Sequence, residues 1–292
     1  DLLEIGRQVR PSLYAIDEDK PESLICRRLR LEVDERTLFD GSILKEADEE
    51  EIISILLELR RAGVESVAVC FLFSFLNPEN ERVVERCLRQ VWPEAYYSLS
   101  STILPEFREF ERLSTTVINS YLGPRMKLYI NNLRTRIKEL GIIPEPYITQ
   151  SSGGVMSIGA TIQTPIQTAL SGPSAGVMGA IHVAGGAGFT DLITYDMGGT
   201  STDVSLVRGG CAEYTTKRKV CGLPSGVPMI DVHAVGAGGG SIARIDNAGA
   251  LKVGPDSAGA DPGPAAYGLG NEEPVVTDAN LVLGRINPCY VL

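Results

Sequence analysis

The sequence has 292 residues, of which 43% are hydrophobic, so it can form a sizeable core within one large domain or two. Its formal net charge of −10 argues against a surface that binds nucleic acid or anionic membranes, and any phosphate site must therefore be local. The two histidines are too few for a multi-histidine metal cage, and no apolar run reaches the roughly 18 residues that a membrane span needs.

Six cysteines are spread along the chain without a C-x-x-C pair, and several of them lie in apolar runs. This pattern predicts reduced thiols in the core of a cytoplasmic protein. The six are Cys26, Cys70, Cys87, Cys211, Cys221 and Cys289. The chain begins at Asp1 without an initiator methionine and stops on an apolar segment, so we expect an internal fragment of a longer protein.

The first part of the chain predicts short strands followed by a helix. Residues 1–45 indicate loops and short strands, with Leu29, Leu31 and Val33 alternating as one strand. Residues 47–62 carry acidic side chains early and arginines late, which suits the dipole of a helix.

A βαβ unit comes next. Residues 64–73 are nearly all apolar, as in a buried parallel strand. Asn77 and Pro78 are typical of the start of a helix, and residues 95–100 have the pattern of the following strand. Because strand, helix and strand follow in this order, the segment predicts two parallel strands joined by a helical crossover.

Residues 105–140 predict a helix that is broken at Gly123 and Pro124, since proline lacks the N–H that a helix interior needs. The charges in its first part are typical of a solvated, salt-bridged face, which is the interpretation we favour for Arg108 and Arg112. The alternative is that one of these arginines faces a substrate or a boundary between lobes.

Two further segments are rich in small residues. Residues 151–154 form a polar glycine loop after a short strand at 146–150, which is either a ligand loop at the end of a strand or an ordinary turn. Residues 171–180 predict a helix of small residues that can approach another backbone closely. His182 follows on this helix, and we expect it to be packed or half-exposed.

The centre of the chain, residues 191–216, predicts strand, tight loop, strand, turn and strand, with Gly209 and Gly210 in the turn. The tight loop combines glycines with exposed N–H groups, hydroxyl side chains and a carboxylate on each side. These residues are Asp196, Gly198, Gly199, Thr200, Ser201, Thr202 and Asp203. Such a loop can cradle phosphate, and its two carboxylates can hold Mg²⁺. The alternative is a glycine-rich hairpin with a capped turn.

A second glycine-rich stretch, 236–241, follows Asp231 and His233, which share a face of an extended strand. The two side chains suit a general-base pair or half of a metal site, but spacing alone favours an aspartate that orients a structural histidine. Residues 254–274 predict a long irregular loop of functional or mobile character, and residues 275–283 predict a short strand and a helix.

Nine stretches of the chain stand out together. They are LEIGRQ (3–8), LPEFREFER with STTV (104–117), QSSGG (150–154), LSGP (170–173), DMGGTSTDV (196–204), DVH (231–233), GAGGGS (236–241), SAGADPGP (257–264) and TDANLVLG (277–284). In this order they resemble the A-type subunit of the hydantoinase/5-oxoprolinase family, which also includes subunits of ketone carboxylases. The resemblance extends nearly from end to end of the chain.

The resemblance implies an α/β chain with an actin-like ATPase fold, built on ribonuclease-H-like sheets in two lobes with ATP in the cleft. Residues 1–185 would be the remainder of the first lobe and residues 186–292 a portion of the second, so the fold would be incomplete at both ends. The family's first phosphate hairpin and its adenosine motif have no match in these residues. Ser152 also stands where the family commonly has asparagine.

The resemblance further implies a hydrolase that uses ATP and Mg²⁺ to phosphorylate the carbonyl oxygen of a cyclic amide or a ketone. A B-type subunit in a hetero-oligomer then completes hydrolysis or carboxylation. The implied phosphate ligands are Gly198, Gly199, Thr200, Ser201 and Thr202, with Asp196 and Asp203 acting through Mg²⁺ and water. Nearer the transferred phosphoryl group or the substrate would lie Asp231, His233, Gly238, Gly239, Gly240 and Ser241.

Two other functions stay open at this point. One is a non-catalytic interaction module that keeps the actin-like fold, and the other is a kinase of small molecules on the same fold. Because these 292 residues match only one of three nucleotide elements, we expect them to be inactive alone and to bind Mg·ATP weakly or not at all.

Overall fold

The computed structural model describes residues 1–9, 14, 17–18, 22–220 and 222–289. The chain forms two compact units, each of which combines helices with strands, so it belongs to the mixed α/β class. Unit 1 comprises Asp1–Ser171 and Thr215–Met229, and unit 2 comprises Gly172–Tyr214 and Ile230–Leu292. No helix within the described ranges is long and apolar enough to cross a membrane.

The helices and strands follow one another in two stretches. Up to residue 163 they are α1 (Leu2–Ile5), β1 (Arg36–Thr37), β2 (Ile43–Lys45), α2 (Glu49–Arg61), β3 (Ser66–Val69), α3 (Glu79–Val91), β4 (Tyr96–Leu99), α4 (Ser100–Ile103), α5 (Glu109–Glu139), β5 (Ile148–Thr149), β6 (Val155–Met156) and α6 (Ile158–Gln163). Then follow α7 (Ser171–Gly186), β7 (Leu192–Met197), β8 (Thr202–Arg208), β9 (Cys211–Ala212), β10 (Tyr214–Thr215), β11 (Arg218–Val220), β12 (Leu223–Ser225), β13 (Met229–Ile230), β14 (Val232–Val235), β15 (Ser241–Ile245), β16 (Leu251–Ser257) and α8 (Val276–Val282).

The predicted βαβ unit is confirmed in unit 1, where β3 and β4 pair in parallel and α3 connects them. The predicted helix before it is α2, which begins where the Asp48 carboxylate accepts the N–H of Glu51. The core of this region contains Ile52, Leu56, Val84, Leu88 and Trp92. Strand β3 is shorter than the predicted range 64–73, and the chain after it forms a turn over residues 72–76, in which Phe73 has a φ of +58°.

Helix α5 runs without a break through Pro124, so the predicted interruption at Gly123 and Pro124 is wrong. A proline removes one hydrogen bond from the ladder, and tertiary packing outweighs that loss here. The packing is visible in the first half of the helix, where Val117 and Ile118 are fully buried.

Gly123 of α5 packs against the ring of Tyr96 in the neighbouring strand β4. A Cβ atom at this position would lie 2.1 Å from a carbon of the Tyr96 ring, so only glycine fits. The ring cannot move aside easily, because its hydroxyl donates to the carbonyls of Ile162 (2.8 Å) and Gln163 (3.0 Å). Burial raises the pKa of Tyr96 to about 12, and the phenol therefore stays a neutral donor.

Arg112 is buried, which corrects the prediction of a solvated, salt-bridged face for this residue. Its guanidinium donates to the carbonyls of Phe71 (2.7 Å) and Glu106 (2.8 Å) and lies over the ring of Phe75. The sequence pattern failed because this arginine bonds to backbone carbonyls instead of to the acidic side chains around it. Arg108 is exposed, as predicted.

Several smaller predictions are also corrected. Leu29, Leu31 and Val33 form no strand, because residues 27–29 make a single 3-10 turn and the chain beyond is irregular. His182 is exposed on α7, neither packed nor half-exposed. The five described cysteines are free, but only Cys87 is buried, since Cys26, Cys211 and Cys289 are exposed and Cys70 is intermediate. Cys221 lies outside the described residues.

The polar glycine loop at 151–154 connects β5 and β6, which pair antiparallel as a hairpin. The N–H of Gly153 donates to the carbonyl of Gln150, and Gly153 has a φ of +80°. The loop thus has the geometry of a hairpin turn and does not follow a parallel strand, and a ligand role for it stays a prediction.

Unit 2 is built on an antiparallel sheet in which β8 lies between β7 and β14, with β9 paired to the end of β8. The predicted hairpin at Gly209 and Gly210 is confirmed, and both glycines have positive φ angles (+57° and +75°) as a two-residue turn requires. Helix α7 covers one face of the sheet, where Val177, Val207, Ala212, Ile230 and Val232 form the core.

The last part of unit 2 differs from its prediction. Strand β16 extends to Ser257 and pairs with β15, so the irregular loop is shorter than the range 254–274. Val275 makes only an isolated bridge to Ile242, and the chain becomes helical at Val276 instead of forming a strand over 275–277.

The substitution Gly123→Ala tests the close contact in unit 1. In an open helix this change stabilises by about 0.5–1 kcal/mol, but here we expect it to destabilise by about 1–3 kcal/mol because of the overlap with Tyr96. The measurement is denaturant unfolding of the chain. Gly159→Ala in α6 is the matched control, since the nearest described atom to its Cβ position, the Ser157 Oγ, is 4.0 Å away, and it should change the unfolding free energy by less than about 1 kcal/mol. Equal effects of the two substitutions would contradict the packing described.

Candidate functional site

Two carboxylates face each other across the central hairpin of unit 2. In the register of β7 and β8, Asp196 is directly opposite Asp203, so the two side chains project from the same face of the sheet. Directly opposite residues of an antiparallel pair have Cβ atoms roughly 4.5–5.5 Å apart, a spacing at which one cation can contact both carboxylates. No positively charged side chain of the described residues forms an ion pair with either of them.

The loop between these aspartates has unpaired backbone N–H groups. The N–H of Gly198 donates to the carbonyl of Ser201 (2.9 Å) and closes the turn. Within the described part of the chain, the N–H groups of Gly199, Thr200 and Ser201 have no hydrogen-bond partner. Neighbouring N–H groups without partners are the kind of donors that can bind anions such as phosphate.

A second glycine loop, residues 236–241, packs directly against the first. The N–H groups of Gly239 and Gly240 donate to the carbonyls of Gly198 (3.0 Å) and Gly199 (2.6 Å). A Cβ atom on Gly238 would lie 2.4 Å from the Gly199 carbonyl oxygen, so only glycine permits this approach. The carbonyls of the first loop are therefore held by the second.

The polar side chains of the two loops differ in burial and in the hydrogen bonds they form within the protein. Thr202 is buried, and its hydroxyl donates to the carbonyl of Ala237. The hydroxyl of Ser241 accepts the N–H of Gly238 (2.8 Å). These bonds give Thr202, Gly238, Gly239, Gly240 and Ser241 a supporting role, and direct contact of any of them with a ligand stays a prediction. Thr200 is exposed and Ser201 is half-buried.

Asp231 and His233 lie side by side, with 3.3 Å between the carboxylate Oδ2 and the imidazole Nε2. The sheet register separates them from the other carboxylates. His233 is opposite Val204, whereas Asp203 is opposite Ala234. Because neighbouring rows of a sheet point to opposite faces, His233 projects from the face opposite to Asp196 and Asp203.

The described residues offer few side chains that could bind a metal ion together. Among the described residues, no group of three or more histidine, cysteine, aspartate or glutamate side chains is arranged to hold a metal ion. Two carboxylates alone suit Mg²⁺, which is commonly bound by one or two carboxylates together with water and phosphate oxygens. The donor set thus fits a cation that arrives with a phosphate ligand.

Thr277 also contacts this site, although no sequence pattern assigned it there. Both its N–H (2.8 Å) and its hydroxyl (2.9 Å) donate to the carbonyl of Gly239. The available signal was local: Thr277 and Asp278 stand at the start of an apolar helical run, as capping residues do. A capping pattern does not reveal which distant carbonyl the threonine will bind.

Comparison with known proteins gives consistent matches. The family model described as hydantoinase/oxoprolinase matches residues 112–292, and the one described as hydantoinase/oxoprolinase N-terminal region matches residues 1–92. The caprolactamase subunit alpha of Pseudomonas jessenii is 38% identical over 98% of this chain and 41% of its own length. The acetophenone carboxylase gamma subunit of Aromatoleum aromaticum is 37% identical over 97% of this chain and 39% of its own length.

A solved structure agrees with these matches. The crystal structure of ATP-dependent caprolactamase from Pseudomonas jessenii superposes with a TM-score of 0.85 at 37% identity, over 98% of this chain and 42% of that chain. The chain therefore spans less than half the length of each of these similar proteins.

The contact between the two glycine loops can be tested by Gly238→Ala. We expect a loss of about 1–3 kcal/mol in unfolding free energy, because the new methyl group would overlap the carbonyl of Gly199. Thermal or denaturant unfolding measures the change. Gly179→Ala in α7 of the same unit is the control, because no atom of the described structure lies within 4 Å of its Cβ position. That change should stabilise the chain slightly, and a similar loss in both variants would argue against the close packing of the loops.

Proposed function

This chain belongs to the hydantoinase/oxoprolinase family, and we propose that it is the ATP-using part of an enzyme that activates a cyclic amide or ketone carbonyl. The observation that carries the proposal is the loop of unpaired N–H groups at Gly199, Thr200 and Ser201 between two facing carboxylates. The similar proteins are called ATP-dependent caprolactamase and acetophenone carboxylase, which supports a shared use of ATP on carbonyl compounds.

For the fold we propose an actin-like ATPase architecture on ribonuclease-H-like sheets. Residues 1–185 would be part of its first lobe and residues 186–292 part of its second. The order of elements supports this proposal, since the small-residue helix α7 is followed directly by the hairpin of β7 and β8 with its glycine loop. The 37% identity to the caprolactamase structure over almost the whole chain adds support.

In the proposed site, the N–H groups of Gly199, Thr200 and Ser201 hold phosphate oxygens, together with the hydroxyls of Thr200 and Ser201. Asp196 and Asp203 hold Mg²⁺ directly or through water. Bound Mg·ATP would supply a phosphoryl group that turns the carbonyl oxygen into a leaving group. Phosphoryl transfer depends mainly on positioning and on neutralised charge, which are what these residues offer.

A catalytic role for Asp231 and His233 stays a prediction. Their position on the other face of the sheet from Asp196 and Asp203 supports the alternative in which Asp231 orients the histidine. A substrate that contacts them would have to reach that second face.

We further propose that the protein acts with a B-type subunit in a hetero-oligomer, which completes hydrolysis or carboxylation of the activated compound. The names of the similar proteins support an assembly of several subunits, since one is a subunit alpha and another a gamma subunit. The free state of all five described cysteines supports a cytoplasmic location.

The proposal predicts that Asp196→Asn and Asp203→Asn each lower carbonyl-dependent ATP hydrolysis by about 10²-fold, because each removes a charge that holds the cation. The assay uses the natural full-length protein with its partner subunit, a cyclic amide or ketone, and Mg²⁺. Chelation of Mg²⁺ should abolish the activity in the wild-type protein. Asp256→Asn is the matched control, since this exposed carboxylate of the same unit forms an ion pair with Arg244, a residue of neither glycine loop. Full activity of the Asp196→Asn protein would falsify the assignment and favour a non-catalytic interaction module.

A separate prediction concerns the 292 residues by themselves. Calorimetry of this chain with Mg·ATP should detect weak binding or none, because only one of the three nucleotide elements implied by the family falls within it. Clear micromolar binding would contradict this expectation and would mean that the loop at residues 198–201 suffices for affinity.

A further inference from the structure

One threonine connects the start of α8 with the glycine loops of unit 2. The N–H and the hydroxyl of Thr277 both donate to the carbonyl of Gly239, at 2.8 Å and 2.9 Å. The N–H of the same glycine donates to the carbonyl of Gly198 at 3.0 Å. Thr277, Gly239 and Gly198 thus form a continuous row of hydrogen bonds that ends in the loop with the unpaired N–H groups.

The other end of this row is fixed by Asp278. Its carboxylate accepts the N–H groups of Ala265 (3.3 Å), Ala266 (2.8 Å) and Val275 (2.9 Å). Three separate donors therefore hold the first turn of α8 in place, although the helix has only seven residues. Thr277 extends from an anchored backbone and not from a mobile segment.

The hydroxyl of Thr277 also fills the space beside Gly239. A Cβ atom on that glycine would lie 2.8 Å from the threonine oxygen, so a side chain at position 239 would collide with the Thr277 hydroxyl. The hydroxyl oxygen lies 2.9 Å from the carbonyl oxygen of Gly239. A methyl carbon cannot lie so close to that oxygen, because carbon and oxygen atoms in contact stay about 3.3–3.6 Å apart. Replacing the hydroxyl by a methyl group would push the loop at 236–241 away from α8.

We propose that Thr277 is a positioning residue for the phosphate-binding loop, and this inference rests on the proposed function of that loop. The threonine fixes the carbonyl of Gly239. The N–H groups of Gly239 and Gly240 then fix the carbonyls of Gly198 and Gly199. With its carbonyls held in this way, the first loop keeps its free N–H groups oriented before any phosphate arrives. Thr277 itself touches no ligand.

The test compares three substitutions in the natural full-length protein with its partner subunit. Thr277→Val replaces the hydroxyl by a methyl group, and Thr277→Ser keeps the hydroxyl. Thr194→Val is the matched control, because this hydroxyl in the same unit also bonds to backbone, donating to the carbonyl of Ser205 and accepting its N–H, and these bonds involve neither glycine loop. Thr277→Ala serves as a second variant without the hydroxyl if the valine does not fold.

Two readouts are needed. The first is amide hydrogen exchange of residues 196–203 and 236–241 without nucleotide, where we expect Thr277→Val to exchange roughly 2- to 10-fold faster at Gly239 and Gly240. The second is the KM for ATP, which should rise by a similar factor of roughly 2 to 10, with a smaller change in kcat. Thr277→Ser should restore both values to within about 2-fold, and Thr194→Val should change neither.

Unchanged exchange at Gly239 and Gly240 in the Thr277→Val protein would overturn the inference. So would equal changes in the Thr277→Val and Thr194→Val proteins, since these indicate a general loss of stability, or a failure of serine to restore the loop. The exchange readout needs no ATP. A wild-type protein that does not use ATP would therefore sink the proposed function alone, while the exchange comparison still decides whether Thr277 positions the loop.

Discussion

The arrangement of unit 2 depends on a contact between two backbones. The missing side chain of Gly238 allows the loop at 236–241 to come within bonding distance of the carbonyls of Gly198 and Gly199. A backbone amide normally offers its N–H and its carbonyl to similar extents. Here the carbonyls of Gly198 and Gly199 accept N–H groups of the second loop, whereas the N–H groups of residues 199–201 have no partner among the described residues. Glycine packing in the neighbouring loop therefore holds the hairpin loop through its carbonyls and not through these N–H groups.

The alternation of side chains along a strand decides which charged groups can act together. Asp196 and Asp203 share a row of the sheet and can contact one cation, whereas His233 belongs to the next row and faces the other way. A shift of the register by one residue would reverse this grouping. The hydrophobic core between α7 and the sheet opposes such a shift, because Val207 and Val232 must stay on the covered face. Core packing thus fixes the geometry of the carboxylate pair.

Much of this could be predicted from the sequence wherever a local pattern determines the structure. Alternating and helical periodicity located the βαβ unit, α2, α7 and the central hairpin, and glycine pairs located the turn at Gly209 and Gly210. The failures share one cause, which is tertiary contact. The path of α5 through Pro124 and the burial of Arg112 depend on what lies beside the helix, and no periodicity within the helix reports it. The contact of Thr277 with the glycine loop could not be predicted for the same reason, since its partner Gly239 is 38 residues away along the chain.

The carboxylates of Asp196 and Asp203 also bear on which ligand this site can bind. Two like charges directly opposite each other on neighbouring strands destabilise a sheet, and no cationic side chain of the described residues pairs with either aspartate. A cation relieves the repulsion but leaves the adjacent N–H groups unused, and an anion alone would add to the negative charge. The proposed ligand, a phosphate compound that brings its own divalent cation, would satisfy both halves of the site at once. Such a ligand at 100 times its dissociation constant would stabilise the folded state by about 2.7 kcal/mol, because it binds only the arrangement that the two glycine loops maintain.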